Sequence, residues 1–200
     1  MKHSDRKRAD ILAAAVSEFR TYGYDNTSMD RIADAAGASK RTVYNHFGSK
    51  EQMFEAMVRE MMQRTDVLQR FAYQSDQPLP KQLKAIANEI LGVIADESYR
   101  DLARVVLSRL TIEPEYSVII SEHSDRINSM LADWMTAAHR DKQLEVPHPE
   151  LAADQFVGML MSYGFWPAIF CVEKKSIAVK RTTFINQTVK MFLKGYGKPE

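Results

Sequence analysis

The sequence predicts an all-α fold. Apolar residues recur with helical spacing along nearly the whole chain, while sustained apolar–polar alternation is missing and no Asn-Gly or Asp-Gly pair marks a hairpin turn. With 45% hydrophobic residues in 200, there is enough apolar material for one domain or two small ones, at roughly 100–200 residues per domain.

The elements follow in order. The first helix spans about Arg6 to Tyr22, with Ile11, Leu12, Ala15, Val16 and Phe19 on one stripe and Gly23 as its stop. A short second helix places Met29, Ile32, Ala33 and Ala36 at i, i+3, i+4 and i+7. Gly37 can take the left-handed conformation that ends it. Ser39 can cap a third helix that buries Val43 and Phe47, one turn apart. The fourth starts near Ser49, where Ser49 and Gln52 have capping-box spacing, and buries Phe54, Met57, Val58 and Met61. Nothing breaks it before QSDQPLP, so it is expected to run past Leu68 to Phe71 or Tyr73.

Beyond the turn at 74–80, Leu83, Ile86, Ala87, Ile90, Leu91 and Ile94 form a fifth helix ending around Asp96. Leu102, Val105, Val106 and Leu110 form a sixth, stopped before Pro114. A seventh covers roughly Tyr116 to Lys142. The prolines of VPHPE make 146–150 a loop. An eighth helix from Pro149 or Glu150 carries Leu151, Phe156, Met159, Leu160 and Tyr163. A last one, about Ser176–Lys194, aligns Phe184, Ile185, Val189, Phe192 and Leu193.

Composition narrows the function. No apolar run approaches the ~18 residues of a membrane span, because Ser162, Gly164 and Pro167 interrupt the longest stretch, 156–172. No apolar signal-peptide core follows the charged N-terminus. Cys171 is the single cysteine, which excludes intrachain disulfides and makes a reducing cytoplasm the expected setting. Net charge is only +1, but residues 1–50 hold nine Lys/Arg against six Asp/Glu while the remainder holds 18 against 20. The basic excess therefore lies in the first quarter of the chain.

That quarter also carries the motif. In TSMDRIADAAGASKRTVYNHFGSK, residues 27–50, two short helices flank a Gly-centred turn and a third helix starts at once. The second helix of the pair buries Val43 and Phe47 and leaves Lys40, Arg41, Thr42, Asn45 and His46 facing outward. This is a helix-turn-helix, and it points to DNA. The run Gly23-Tyr24, Ile32-Ala33, Ala36-Gly37, Ser39, Tyr44, Phe47 and Ser49-Lys50-Glu51 resembles the N-terminal domain of TetR-family transcriptional regulators over about 45 residues. HPELAADQFVGMLMSYGFWPAIF, residues 148–170, resembles the late helix of AefR- or AcrR-like members. The resemblance implies about nine helices and a DNA-binding domain at 1–50. It also implies a ligand-binding and dimerisation domain at 51–200, and a homodimer joined through the last two helices. By default, such a regulator represses a nearby promoter until a small molecule releases it.

The expected DNA-binding set is Thr27, Ser28, Ser39, Lys40, Arg41, Thr42, Tyr44, Asn45, His46 and Lys50. Thr27 or Ser28 caps the second helix, where hydroxyl and free N–H groups suit a phosphate. Lys50 matches the family's phosphate-binding lysine, Tyr44 its phosphate-reaching tyrosine, and His46 is expected to act likewise from the helix end. Lys40 and Arg41 can donate to guanine O6 and N7, Thr42 can meet thymine, and Asn45 can pair with adenine or a phosphate. Lys2, Arg6, Lys7 and Arg8 form a charged tail that adds unspecific attraction.

No catalytic constellation assembles. The histidines at 3, 46, 123, 139 and 148 lack metal-ligand spacing with one another or with Cys171, which is expected to be a small buried hydrophobe. There is no Gly-rich phosphate loop and no nucleophile elbow, and Asp96/Glu97 and Glu113/Glu115 read as solvated helix-end carboxylates. Neither cofactor nor enzyme activity is expected. Phe165, Trp166, Phe170, Phe184 and Phe192 suit a dimer interface, whereas Met61, Leu107 and Trp134 are the expected ligand-lining residues. Few candidate buried charges are available to them, so the expected effector is neutral or lipophilic. Two alternatives stay open: an activator of the same fold, and a helical ligand-binding or interaction module without specific DNA binding. The outward Lys40, Arg41, Thr42 and Asn45 argue against the second.

Overall fold

The computed structural model describes residues 3–66, 70–113, 116–171 and 179–197, with their side chains except at positions 3, 119 and 123–127. Among them lie nine α-helices: α1 (His3–Tyr22), α2 (Met29–Ala35), α3 (Lys40–Phe47), α4 (Lys50–Thr65), α5 (Leu79–Ala95), α6 (Glu97–Leu110), α7 (Ser117–Arg140), α8 (Pro149–Ile169) and α9 (Arg181–Tyr196). The only β feature among these residues is one isolated bridge, Leu144 to Gly197, so the all-α expectation is met. α4 ends at Thr65, short of the expected Phe71 or Tyr73. Before α5, the buried Gln82 side chain fastens the turn at 74–77, donating to the carbonyls of Gln74 and Gln77 and accepting from the Gln74 amide. Lys2, Leu68, Glu115 and the expected first turn of the last helix at 176–178 lie outside the described residues.

The chain forms two compact units. The first comprises Met1–Gln63 and Glu97–Ile120, the second Arg64–Asp96 and Ser121–Glu200. Residues 97–120, α6 included, thus pack with the helix-turn-helix although they are distant from it in sequence.

In the first unit α1 packs against α2 and α6. Ile11, Ala15 and Phe19 of α1 are buried, as are Ile32 and Ala33 of α2, Val43 and Phe47 of α3, and Met53, Phe54, Met57 and Val58 of α4. Each large side chain removed from water in this way is worth about 1.5–3 kcal/mol before entropy is counted. Aromatic edges knit the centre: Phe19 meets Tyr24 at 5.1 Å between ring centroids, Tyr24 meets Phe54 at 5.6 Å, and Phe54 meets Tyr116 at 4.8 Å.

In the second unit α5 packs against α8 and α9, which also pack on each other. α8 continues through Gly164, and a Cβ there would lie 3.1 Å from Leu91 and 3.2 Å from Ile94 of α5, so the two helices approach closely and a larger residue would push those side chains back by a few tenths of an ångström. Pro167 sits in the last turn of α8, where it removes one amide donor shortly before the helix ends at Ile169. Cys171 is exposed, contrary to expectation, because it follows the end of α8 at φ 52° instead of lying on a core stripe.

Candidate nucleic-acid interface

The two motif helices are built by local chemistry. Ser28 caps α2, its Oγ accepting from the Arg31 amide at 3.2 Å, and this settles the choice between Thr27 and Ser28. Gly37 then turns the chain at φ 53°, and its own amide donates to Asp34 O. Ser39 caps α3, accepting from the Thr42 amide at 3.1 Å and sharing a 2.8 Å hydrogen bond with the Thr42 hydroxyl. Ser49 accepts from the Gln52 amide at the start of α4, which makes one half of the capping box. In that same first turn, Glu51 is held below the usual carboxylate range by its own backbone N–H and the Ser49 hydroxyl.

α3 turns Val43 and Phe47 into the core and leaves Lys40, Arg41, Tyr44 and Asn45 exposed, with Thr42 and His46 half-buried. These six, with Ser39, occupy one short helix and its cap, as a reading surface requires. They are not equivalent in charge. Lys40 Nζ lies 2.5 Å from Asp30 Oδ2 of α2, and that hydrogen bond, with the carboxylate's charge, holds the ammonium above its ordinary value. Arg41 has no carboxylate or hydrogen-bond partner among the described residues. Tyr44 is 48% exposed, so its hydroxyl is available from solvent.

Two residues of the expected DNA-binding set have partners within the protein. Thr27 is 2% exposed, and its hydroxyl donates to Gly23 O at 2.8 Å, which locks the turn before α2 instead of facing outward. Lys50 is half-buried; its ammonium donates to Tyr24 O at 3.0 Å and Thr27 O at 3.1 Å and lies 4.4 Å from the Tyr24 ring centre. Two of its three N–H groups therefore bolt α4 to the 23–27 turn. Lys7 and Arg8 of the expected basic tail are held by the fold. Lys7, on α1, donates to Ala36 O and Gly37 O at the C-terminal end of α2, where a cation suits the helix dipole, and Arg8 stacks 4.9 Å over Phe47.

A cluster absent from the expectations holds the same turn from the other side. Arg109 of α6, 10% exposed at its side chain, donates to Asp25 at 3.1 Å and to Glu113, and lies 4.2 Å over the Tyr24 ring. Burial opposes its charge, but Glu113 and Asp25 outweigh that and hold the guanidinium above its ordinary value. Burial, with the nearby Glu51 charge, likewise pushes the Tyr24 hydroxyl up. Glu113 is thus an ion-pair partner, and so is Asp96, which faces Arg64 at 3.4 Å. Only the tyrosine's place in the motif hinted at such a hub, since the pairing joins residues 84 apart.

In the second unit Trp134 is 3% exposed and, with Phe71, Ile86, Ile90, Met130, Leu131 and Val157, lines a cavity of about 20 Å³. No charged side chain is in that lining. The space suffices for about one water, so a larger guest requires the walls to part. Met61 and Leu107 pack within the first unit, Met61 buried on α4 and Leu107 half-buried on α6. Among the residues suited to an interface, Trp166 and Phe170 are 45% and 67% exposed and stack at 6.0 Å, whereas Phe165 and Phe192 are buried and Phe184 stacks on Tyr163.

Known proteins share these features. Residues 11–57 match the family described as bacterial regulatory proteins, tetR family, and residues 81–198 match the AefR-like transcriptional repressor, C-terminal domain. The chain is 39% identical over 66 residues to the HTH-type transcriptional regulator YhgD of Bacillus subtilis (strain 168), covering 31% of this chain and 34% of that protein. It is 33% identical over 58 residues to the HTH-type transcriptional repressor AcnR of Corynebacterium jeikeium (strain K411), covering 29% and 31%. These matches span about a third of each curated relative. A TetR family transcriptional regulator from Pseudomonas syringae pv. tomato str. DC3000 is similar throughout, with a TM-score of 0.78 at 33% identity over 98% of this chain and 99% of that one. With a capped helix-turn-helix at one end and the AefR-like match over most of the remainder, this chain belongs to the TetR family of bacterial transcriptional regulators.

Proposed function

We propose that the chain is a ligand-responsive transcriptional regulator that represses by binding a palindromic operator as a homodimer and is released by a small, largely apolar effector. The observation that carries this reading is α3: a Ser-capped helix with two core anchors, presenting Lys40, Arg41, Thr42, Tyr44, Asn45 and His46 from one rigid element. Arg41 is the leading base reader, Ser28 and Tyr44 position the phosphates, and Asn45 and His46 flank them. Residues 1–50 act as the DNA-binding domain and 51–200 as the effector and dimerisation domain, in a cytoplasmic protein; no helix among the described residues is long and apolar enough to cross a membrane.

The homodimer forms through α8 and α9, a reading supported by the exposed Trp166, Phe170, Leu151 and Met191. Trp134 belongs to the effector site, and its uncharged surroundings favour a neutral ligand. Two reading helices related by a two-fold axis meet successive major grooves about 34 Å apart. Footprinting of the DNA beside the protein's own gene tests this. Protection of a palindrome at low salt is expected, and no protection of any palindrome overturns the reading.

A further inference from the structure

Lys40 opens α3, directly after the Ser39 cap. An ammonium there faces the positive end of the helix dipole, so α3 itself gives it no local support. Its support comes from α2: Asp30, in the first turn of that helix, lies 2.5 Å away, and Asp34, one turn on, adds a second negative charge nearby. The pair is not buried, with Lys40 62% and Asp30 48% exposed at their side chains, so DNA meeting α3 meets both. Arg41 beside them has no such partner among the described residues. The reading surface therefore holds one cation already neutralised next to one that is free.

We infer that Asp30 is a specificity-determining residue: by holding Lys40, it denies that lysine to phosphates and leaves it available to base edges. The inference rests on the DNA-binding reading above. A phosphate offers Lys40 only charge. Taking it either breaks the bond to Asp30 or brings the phosphate's charge up against that carboxylate, so the neutral pair adds almost nothing to counterion release. A guanine edge makes a different demand. The ammonium has three N–H groups and one is committed to Asp30, so the others can donate to O6 and N7 while the pair stays intact. Asp30 thus penalises unspecific DNA more than the operator.

The test compares the full-length protein with D30N, D30E and K40M/D30N. Fluorescence anisotropy across a salt series follows binding to the footprinted operator duplex and to a scrambled duplex of equal length. For D30N, affinity for scrambled DNA rises about threefold to tenfold near 0.1 M salt, and the slope against log salt steepens by about one. Operator affinity changes less, so the ratio between the two shrinks several-fold. D30E keeps the wild-type ratio, and in the K40M background the D30N gain on scrambled DNA is mostly lost. Thermal melts of D30N close to wild type assign the change to charge and not to α2 folding. Equal gains on both duplexes, or no change on either, overturn the inference while leaving DNA binding intact. If the wild type binds neither duplex, the DNA-binding reading fails and the inference with it.

Discussion

Replacing Lys50 with Met separates two roles that the same ammonium could have. As a bolt, Lys50 supplies two charge-assisted hydrogen bonds to the carbonyls of Tyr24 and Thr27, at 3.0 and 3.1 Å, and a cation over the Tyr24 ring at 4.4 Å. Met retains most of the stem's packing and removes all three. Because Lys50 is half-buried, each hydrogen bond is taken at the low end, about 1 kcal/mol, and the ring contact at about 0.5 kcal/mol. Tyr24 O keeps one partner, the Thr27 amide at 3.2 Å. The expected loss is therefore about 2–3 kcal/mol, which for a chain of this length lowers Tm by roughly 5–10 °C. Differential scanning calorimetry reads that term, and a salt series on the operator reads the other, since losing one phosphate contact would flatten the slope by about 0.9. A Tm unchanged to within about a degree, with a flattened slope and weakened operator binding, would refute the bolt and restore Lys50 to the phosphates.

Arg41→Ala removes the α3 cation that has no partner among the described residues: operator binding is expected to weaken by about 1–3 kcal/mol in a titration, with Tm unchanged. Thr27→Val removes the 2.8 Å donor to Gly23 O from a buried side chain in an otherwise exposed turn, so urea denaturation should show a loss of about 1 kcal/mol at constant m. Burial and the hydrogen bond to Asp141 push the Tyr73 hydroxyl up to about 12 from the ordinary 10.0, so the fold disfavours its ionisation. The stability linked to it is complete below about pH 10 and is lost as pH climbs to about 12; alkaline unfolding of Tyr73→Phe should lack that decline.

What was legible in advance depended on the range of the interaction. Each helix of the motif is written within about a dozen residues. Met29, Ile32 and Ala33 share a face at helical spacing, Ser39 precedes Lys40 as a cap, and Gly37 admits a positive φ that other residues resist. The core of α5 follows the same rule: Leu83, Ile86, Ala87, Ile90, Leu91 and Ile94 are all buried. Side-chain partners do not follow it. Nothing near Thr27 says that its hydroxyl turns inward to Gly23 O while its neighbour Ser28 caps the helix. The length of α4 was not written locally either: the helix ends at Thr65 although no Pro or Gly stands within 66–73.

Periodicity, capping and turn chemistry act between residues three or four apart, so the chain alone specifies its helices, its helix-turn-helix and the outward set on α3. Charge has no such period. Whether Lys40, Lys7 or Lys50 is free for DNA depends on which carboxylate, carbonyl or ring the fold brings alongside. Those partners, at Asp30, Gly37 and Tyr24, are 10, 30 and 26 residues away. Arg109 lies farther still from Asp25, and only the packing of α6 against α1 brings it to the turn before α2. Local chemistry thus builds the helix-turn-helix within the first fifty residues, and the assembled fold decides which of their cations already have a partner.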